Sequence, residues 1–384
     1  MTSAVFGRRI HIAGSLPEED VVGTVEAARA RSFVEQLVKD LVRQGATFVL
    51  PVDAEKKRTD GIPFCFEWLI WTTIARNLHL RPLGAPTPAV VAVKHHKSDE
   101  QIPEEHIDFW DEFSASDNVR VDHAAHWNMN SKRMELQARH GDVLVTVGGG
   151  EGVLFLANAY HDAGKPVIPV DFPVSIPSSG TRRICAFAEA GKAHKLFQTA
   201  GPTTAQTWLS RITPSSRTEP STIAERVVAL LEVLERPIAF AVRLLNPEHP
   251  DYVAVEEFFE IVVKPVIEGE YGYRLAVVDG KQAVEESRID QDIFSKLRRS
   301  GLVIADLTGE RPNCFLELGY ALGRSARAVI TFQKGTRAPF DVTTYAAHVW
   351  QRTPDVLERR ARFREHLESI ASRAPIVNDT PLIP

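Results

Sequence analysis

The residues best placed to do chemistry lie between Ile304 and Gly319, in the stretch IADLTGERPNCFLELG. An apolar run closes on Asp306, a turn holding Thr308 follows, and Asn313 and Glu317 come four residues apart. That spacing puts both on one face of the helix the segment predicts. In an open α/β sheet the loops at strand C-termini form the ligand crevice, so a carboxylate delivered there is a candidate nucleophile or general base. An N-glycosidic bond to ribose suits such a group, because it breaks through an oxocarbenium-like state. Glu317 can stabilise or trap that cation, while Asp306 orients the sugar hydroxyls or the attacking water. The plainer alternative is an Asp closing a strand and a Glu on a solvated helix face.

A second constellation is the glycine run Gly148–Gly152, GGGEG, inside VTVGGGEGVLFLANAYHDAGKPVIPV. Glycines let the backbone approach an anion, and free amides at a helix N-terminus favour phosphate. Gly148, Gly149, Gly150, Glu151 and Gly152 are therefore candidate nucleotide-binding residues, against the alternative of a tight turn with no ligand. The pattern is neither the dinucleotide GxGxxG nor a P-loop with Lys-Ser/Thr. Asp122, His123 and His126 have chelating spacing but no further evident ligand, so a surface or inter-domain histidine pair is expected and no metal site. His95 and His96, beside Lys94 and Lys97, read as a solvated basic loop. Phe64, Phe66, Trp68 and Trp71 read as a helix packed into the core or a subunit interface.

These groups need strands and helices to hold them, and the chain supplies two alternating series. In the first half Arg9–Ala13, Thr47–Pro51, Ala89–Val93, Asn118–Val121, Asp142–Val147 and Pro166–Val170 read as strands or extended. Val25–Gln44, Pro63–Asn77, Ile107–Ser114, Asn128–His140 and Val153–Asp162 read as helices, with Gly45 a C-cap. Between Gly201 and Pro220 the pattern weakens, and Thr222 with Glu225 resembles a capping box opening a helix over Ile223–Leu234. The second half has strands at Ile238–Leu244, Tyr273–Val278, Leu302–Asp306, Ala328–Phe332 and near Ala347–Gln351. Helices fall at Tyr252–Ile267, Ile289–Ser300, Asn313–Gly323 and Val356–Ser372. The expectation is an α/β protein of two Rossmann-like domains, residues 1–212 and 221–384, each a parallel sheet with right-handed crossovers, the second five-stranded and flavodoxin-like.

With 384 residues the chain can bury two cores. A net charge of −5 with scattered Lys and Arg argues against a general nucleic-acid binder. The three cysteines, Cys65, Cys185 and Cys314, form no CxxC pair, which predicts a reducing compartment and no zinc site. No window approaches a membrane span and no signal peptide is evident. A cytoplasmic protein with a small charged metabolite as partner, rather than nucleic acid or membrane, is the expectation.

On IHIAGSL (Ile10–Leu16) and GGGEG, residues 8–200 resemble the SLOG superfamily, which includes lysine-decarboxylase-like nucleotide hydrolases and nucleotide-sensing domains of bacterial defence proteins. The resemblance implies that Gly14 and Ser15 share a phosphate with Gly148–Gly152. Its hydrolytic members carry PGGxGT and a helix glutamate, whereas here Val153 follows Gly152 with no acid in the first two helical turns. That departure favours binding over hydrolysis. Residues 236–352, through AFAVRLLNPEHPDYVAVEEFF, VVDGKQ, ADLTGERPNCFLELG and PFD (Pro339–Asp341), look like the nucleoside 2-deoxyribosyltransferase-like and TIR-like group. This second resemblance implies Glu317 as the catalytic residue, Asp306 and Asn313 as helpers, and Arg243, Leu244, Asn246, Thr308 and Asp279 as substrate contacts. Together the two imply a sensor joined to an effector: an N-glycosidase cleaving NAD, switched on by a nucleotide signal in anti-phage defence, acting as a homo-oligomer. NAD would be substrate, with no further cofactor. The alternatives are a constitutive deoxyribosyltransferase or nucleoside hydrolase, or a non-catalytic nucleotide-binding signalling protein.

Overall fold

In the computed structural model the chain forms two compact units divided between Glu235 and Arg236. The structure describes residues 3–95, 97–124, 129–215, 217–278, 289–323, 327–336 and 345–371. Both units are parallel sheets flanked by helices, the two Rossmann-like domains expected.

The first unit holds β1 (Arg9–Ser15), β2 (Thr47–Pro51), β3 (Val90–Lys94), β4 (Val119–His123), β5 (Val143–Gly148) and β6 (Val167–Pro169), ordered β4-β3-β2-β1-β5-β6. Helix α1 (Thr24–Arg43) shows how pattern becomes packing. Ala27, Ala30, Phe33, Val34, Leu37, Val38, Leu41 and Val42 recur every three or four residues, and all are buried. The helix stops at Gln44 because Gly45 takes the left-handed conformation, φ 79°. The remaining helices are α2 (Glu67–Asn77), α3 (Ile107–Ser114), α4 (Met129–His140), α5 (Glu151–Asp162), α6 (Gly180–Phe187), α7 (Ala193–Leu196), α8 (Ala205–Ile212) and α9 (Pro220–Val233).

Two expectations need correction here. Helix α9 starts at Pro220, with Glu219 at its N-cap and no capping side chain, so the Thr222–Glu225 box is absent. Proline's fixed φ suits the first helical turn and sets the start instead. The boundary expected at 212–221 falls after Glu235, because α9 packs along α1. Its buried face of Ile223, Ala224, Val227, Val228, Leu230 and Leu231 joins the first unit's core. The Arg8 guanidinium closes the C-terminal end of that helix by donating to the carbonyls of Leu231 (2.9 Å) and Glu235 (3.1 Å).

The second unit holds β7 (Ile238–Val242), β8 (Arg274–Ala276), β9 (Leu302–Asp306), β10 (Ala328–Gln333) and β11 (Ala347–Trp350), ordered β11-β10-β9-β7-β8. Counted within the unit this is 2-1-3-4-5, the flavodoxin-like order. Its helices are α10 (Tyr252–Phe258), continued by π-turns to Glu270, then α11 (Ile289–Arg299), α12 (Pro312–Gly323) and α13 (Val356–Ala371). Strand order reverses between β7 and β9, where the crevice of such a sheet opens at the carboxyl ends.

Candidate functional site

At the β7/β9 reversal, two loops meet. The loop after β9 turns through Gly309 (φ 78°), where a Cβ would lie 2.8 Å from the His249 ring. Only glycine therefore admits that ring, and the contact clamps the β7–α10 loop against the β9–α12 loop. The β7–α10 loop is braced from within: Asn246 accepts the Glu248 amide on its side chain (3.2 Å) and the His249 amide on its carbonyl (3.1 Å).

Glu317 sits in the second turn of α12, half-buried. It has no hydrogen-bond or ion-pair partner among the described residues, and burial alone raises its pKa from 4.5 to about 7. A carboxyl titrating near neutrality, free of partners, is what a general acid or base requires. Asn313, one turn earlier, is exposed.

Asp306 occupies a different setting from the one the sequence suggests. It is fully buried. Its Oδ1 accepts the Thr308 amide (3.1 Å), and its Oδ2 accepts the Thr331 hydroxyl and the Trp350 indole N–H, each at 2.7 Å. Burial raises its pKa, against the pull of these donors. With its oxygens engaged inside the sheet, it anchors the crevice loop rather than facing a substrate. Thr308 is likewise buried and accepts the Gln333 amide at 2.9 Å. Arg243 is committed to Glu256 and lies over the Phe259 ring at 5.1 Å, and Leu244 is core. Of the first-loop candidates, Asn246 alone retains partial exposure without being core or ion-paired. Asp279 and Pro339–Asp341 lie outside the described residues.

In the first unit the order reverses between β1 and β5, and the glycine residues meet there. Ser15 pairs with Gly148 in register, and the Gly149 amide donates to the Ser15 carbonyl at 2.9 Å. A Cβ on Gly14 would fall 1.9 Å from the Val147 carbonyl oxygen, so that glycine serves strand pairing. Gly148 and Gly149 have positive φ and comparable crowding, whereas Gly150 faces open space at the α5 N-terminus. Glu151 pairs with Arg183 at 2.6 Å on the surface.

A carboxylate that sequence reasoning missed stands beside this loop. Leu16 donates to the Phe64 carbonyl (2.7 Å), Cys65 bridges to Ser15, and α2 then begins at Glu67. Burial raises the Glu67 pKa to about 7; Asp53 adds repulsion, while Arg133 and the Cys65 thiol oppose the rise. Asp53 follows the end of β2 and pairs with Arg133 of α4 at 2.6 Å. The next residue along α4, Met134, reaches the α5 N-terminus, its sulfur 3.9 Å from where a Gly152 Cβ would stand. The first unit therefore has an acid at its crevice, supplied by α2 rather than by the helix that follows the glycine run. The available signal was an acid in PFCFEW, at the start of the helix that follows β2.

Asp122 is held by His140 (2.6 Å) and Arg120 (2.8 Å). Burial works against its charge, yet the His140 ring and the Arg120 guanidinium keep it below the usual carboxylate range. His126 and His96 lie outside the described residues. Glu55, Glu105 and His106 bring potential ligand atoms within 4.8 Å of one another. Glu105, however, is already paired with Lys57 at 2.7 Å.

The fold and these two crevices define a two-unit Rossmann-like α/β protein with a near-neutral carboxyl at each strand-order reversal. Residues 5–234 match the family model described as ATP nucleosidase Cap17-like, N-terminal, and since that is more than half the chain, the chain belongs to this family. The match covers nearly the whole first unit. Among curated proteins, none matches the chain. No helix among the described residues is long and apolar enough to cross a membrane.

Proposed function

We propose that the chain hydrolyses the N-glycosidic bond of an adenine nucleotide, with Glu317 as its acid–base group. The observation that carries this reading is a half-buried, unpartnered carboxyl with a pKa of about 7 beside a switch-point crevice. Membership of a family named for ATP nucleosidases supports the reaction class and favours ATP over NAD as substrate. Glu317 takes a proton from the water that attacks C1′; the C1′–N bond breaks, and the departing base receives that proton. Asn313, on the same helical face, orients a ribose hydroxyl. In this reading the glycine loop of the first unit binds a nucleotide signal that controls the second unit, in a cytoplasmic homo-oligomer serving anti-phage defence.

A second reading places the chemistry at Glu67, because the family match lies in the first unit and Glu67 has the same near-neutral titration. Incubating the full chain with ATP or NAD and measuring released adenine and nicotinamide, for Glu317→Gln and Glu67→Gln separately, decides between them. Loss of base release only in the Glu317 variant supports the leading reading. Loss only in the Glu67 variant moves the site to the first unit. No base release from either substrate by the unaltered chain, at any protein concentration and with added nucleotide signals, would sink both.

A further inference from the structure

The second unit contains a cavity of about 210 Å³ at the carboxyl ends of β10 and β11, closed by α10 and the start of α13. Its charged lining is entirely cationic among the described residues: Lys334, Arg359 and Arg362. Arg359 is the decisive group. Its side chain is only 7% exposed. One nitrogen, Nη1, reaches Glu257 at 3.3 Å, while Nε and Nη2 are buried with no partner among the described residues. Two unsatisfied guanidinium nitrogens cost about 1–3 kcal/mol each when left dry, and because Arg359 lines the cavity, an acceptor bound to them there would relieve that cost. Glu257 does not supply it, being shared with Arg352. Arg362 pairs with Glu358 in the next turn back, and the exposed Lys334 ammonium has no ion partner among the described residues.

We propose that this cavity is a binding site for a small phosphate-bearing anion, held by the Arg359 guanidinium with Lys334 and Arg362. A planar guanidinium offering two adjacent N–H groups matches two oxygens of one phosphate. The His348 imidazole, whose pKa burial lowers to about 4, with His366 and Arg362 adding to the fall, is neutral at physiological pH and offers a further polar contact. Trp350 and Phe258, stacked with centroids 4.5 Å apart, wall one side. The volume suits inorganic phosphate, pyrophosphate or a pentose phosphate, and is small for a whole nucleotide. Glu317 is not among the lining residues, so the proposal stands whether or not Glu317 is catalytic.

Calorimetric titration of the full chain with inorganic phosphate, pyrophosphate and ribose 5-phosphate tests this. The unaltered chain is expected to bind at least one of the three. Arg359→Gln should weaken that binding at least tenfold. Lys334→Ala, which alters an exposed side chain and leaves the fold intact, should weaken it severalfold. No heat from any of the three anions would overturn the proposal. So would equal affinity in the unaltered chain and Lys334→Ala, which would place the binding elsewhere in the molecule. Which of the three anions binds most tightly distinguishes a free phosphate from a sugar-phosphate ligand.

Discussion

Replacing Glu317 by Gln should produce an inactive protein that is more stable than the parent, by a margin that grows above about pH 4.5 and is complete near pH 7. The carboxyl's pKa rises from 4.5 to about 7 because ionising it in place means burying a charge without a partner. Below pH 4.5 the group is protonated in folded and unfolded chains alike, and its contribution is fully present. As pH climbs towards 7 the unfolded chain ionises first, and that contribution is lost. At about 1.4 kcal/mol per pH unit, a fully buried group would forfeit about 3 kcal/mol. Glu317 is only half-buried, and solvent screening reduces this to roughly 1–2 kcal/mol. Glutamine keeps the shape and cannot ionise, so at pH 8 the second unit should melt roughly 3–8 °C higher in the variant. At pH 4.5 the two proteins should melt together. Base release should fall about 100- to 10 000-fold, the usual contribution of a positioned acid or base. Thermal unfolding at both pH values, alongside adenine release, makes the assay. Equal melting at pH 8, or a variant destabilised equally at both, would refute the unpartnered burial on which the site rests.

Other outcomes are equally specific. Base release by the unaltered chain should rise with pH through about 7 as the Glu317 carboxyl ionises; a rate independent of pH between 5.5 and 8.5 contradicts the general-base role. Thr331→Val removes a donor to the buried Asp306 carboxylate and should cost about 1–3 kcal/mol in urea unfolding. Gly148→Ala forces a Cβ to 2.4 Å from the Ser15 carbonyl at φ 61° and should destabilise the first unit by at least about 2 kcal/mol. Gly150→Ala, in open space, should stay within about 1 kcal/mol of the parent; hydrogen exchange of β1 and β5 amides distinguishes the pair.

The sheets were legible because parallel strands buried on both faces read as short β-branched runs, and helices such as α1 carry an unbroken apolar stripe. The crevices followed from the same pattern, since each strand end marks a possible site. Solvent access was not legible. Asp306 and Glu317 read alike in sequence, yet one is sealed by Thr331 and Trp350 from strands 25 and 44 residues away. Sequence spacing carries no record of such partners. Glu67 was passed over for a related reason. It reaches the glycine loop through the Cys65–Ser15 bridge, a pairing fifty residues apart in the chain. The α9 boundary was misplaced because a composition shift marks a loop, not the last helix a core recruits.

The Asp306 carboxylate also imposes an order of events on the growing chain. Its strand and the Glu317 helix are complete by Gly323, but one of its oxygens depends on donors from β10 and β11. Until Trp350 has emerged and docked, that buried oxygen lacks its indole donor, and the loop leading to Glu317 lacks its anchor to the sheet edge. A nascent chain stopped short of β11 would carry every crevice residue and still lack one of the three donors to Asp306, so the anchoring of the site is completed only by the last strand of the sheet.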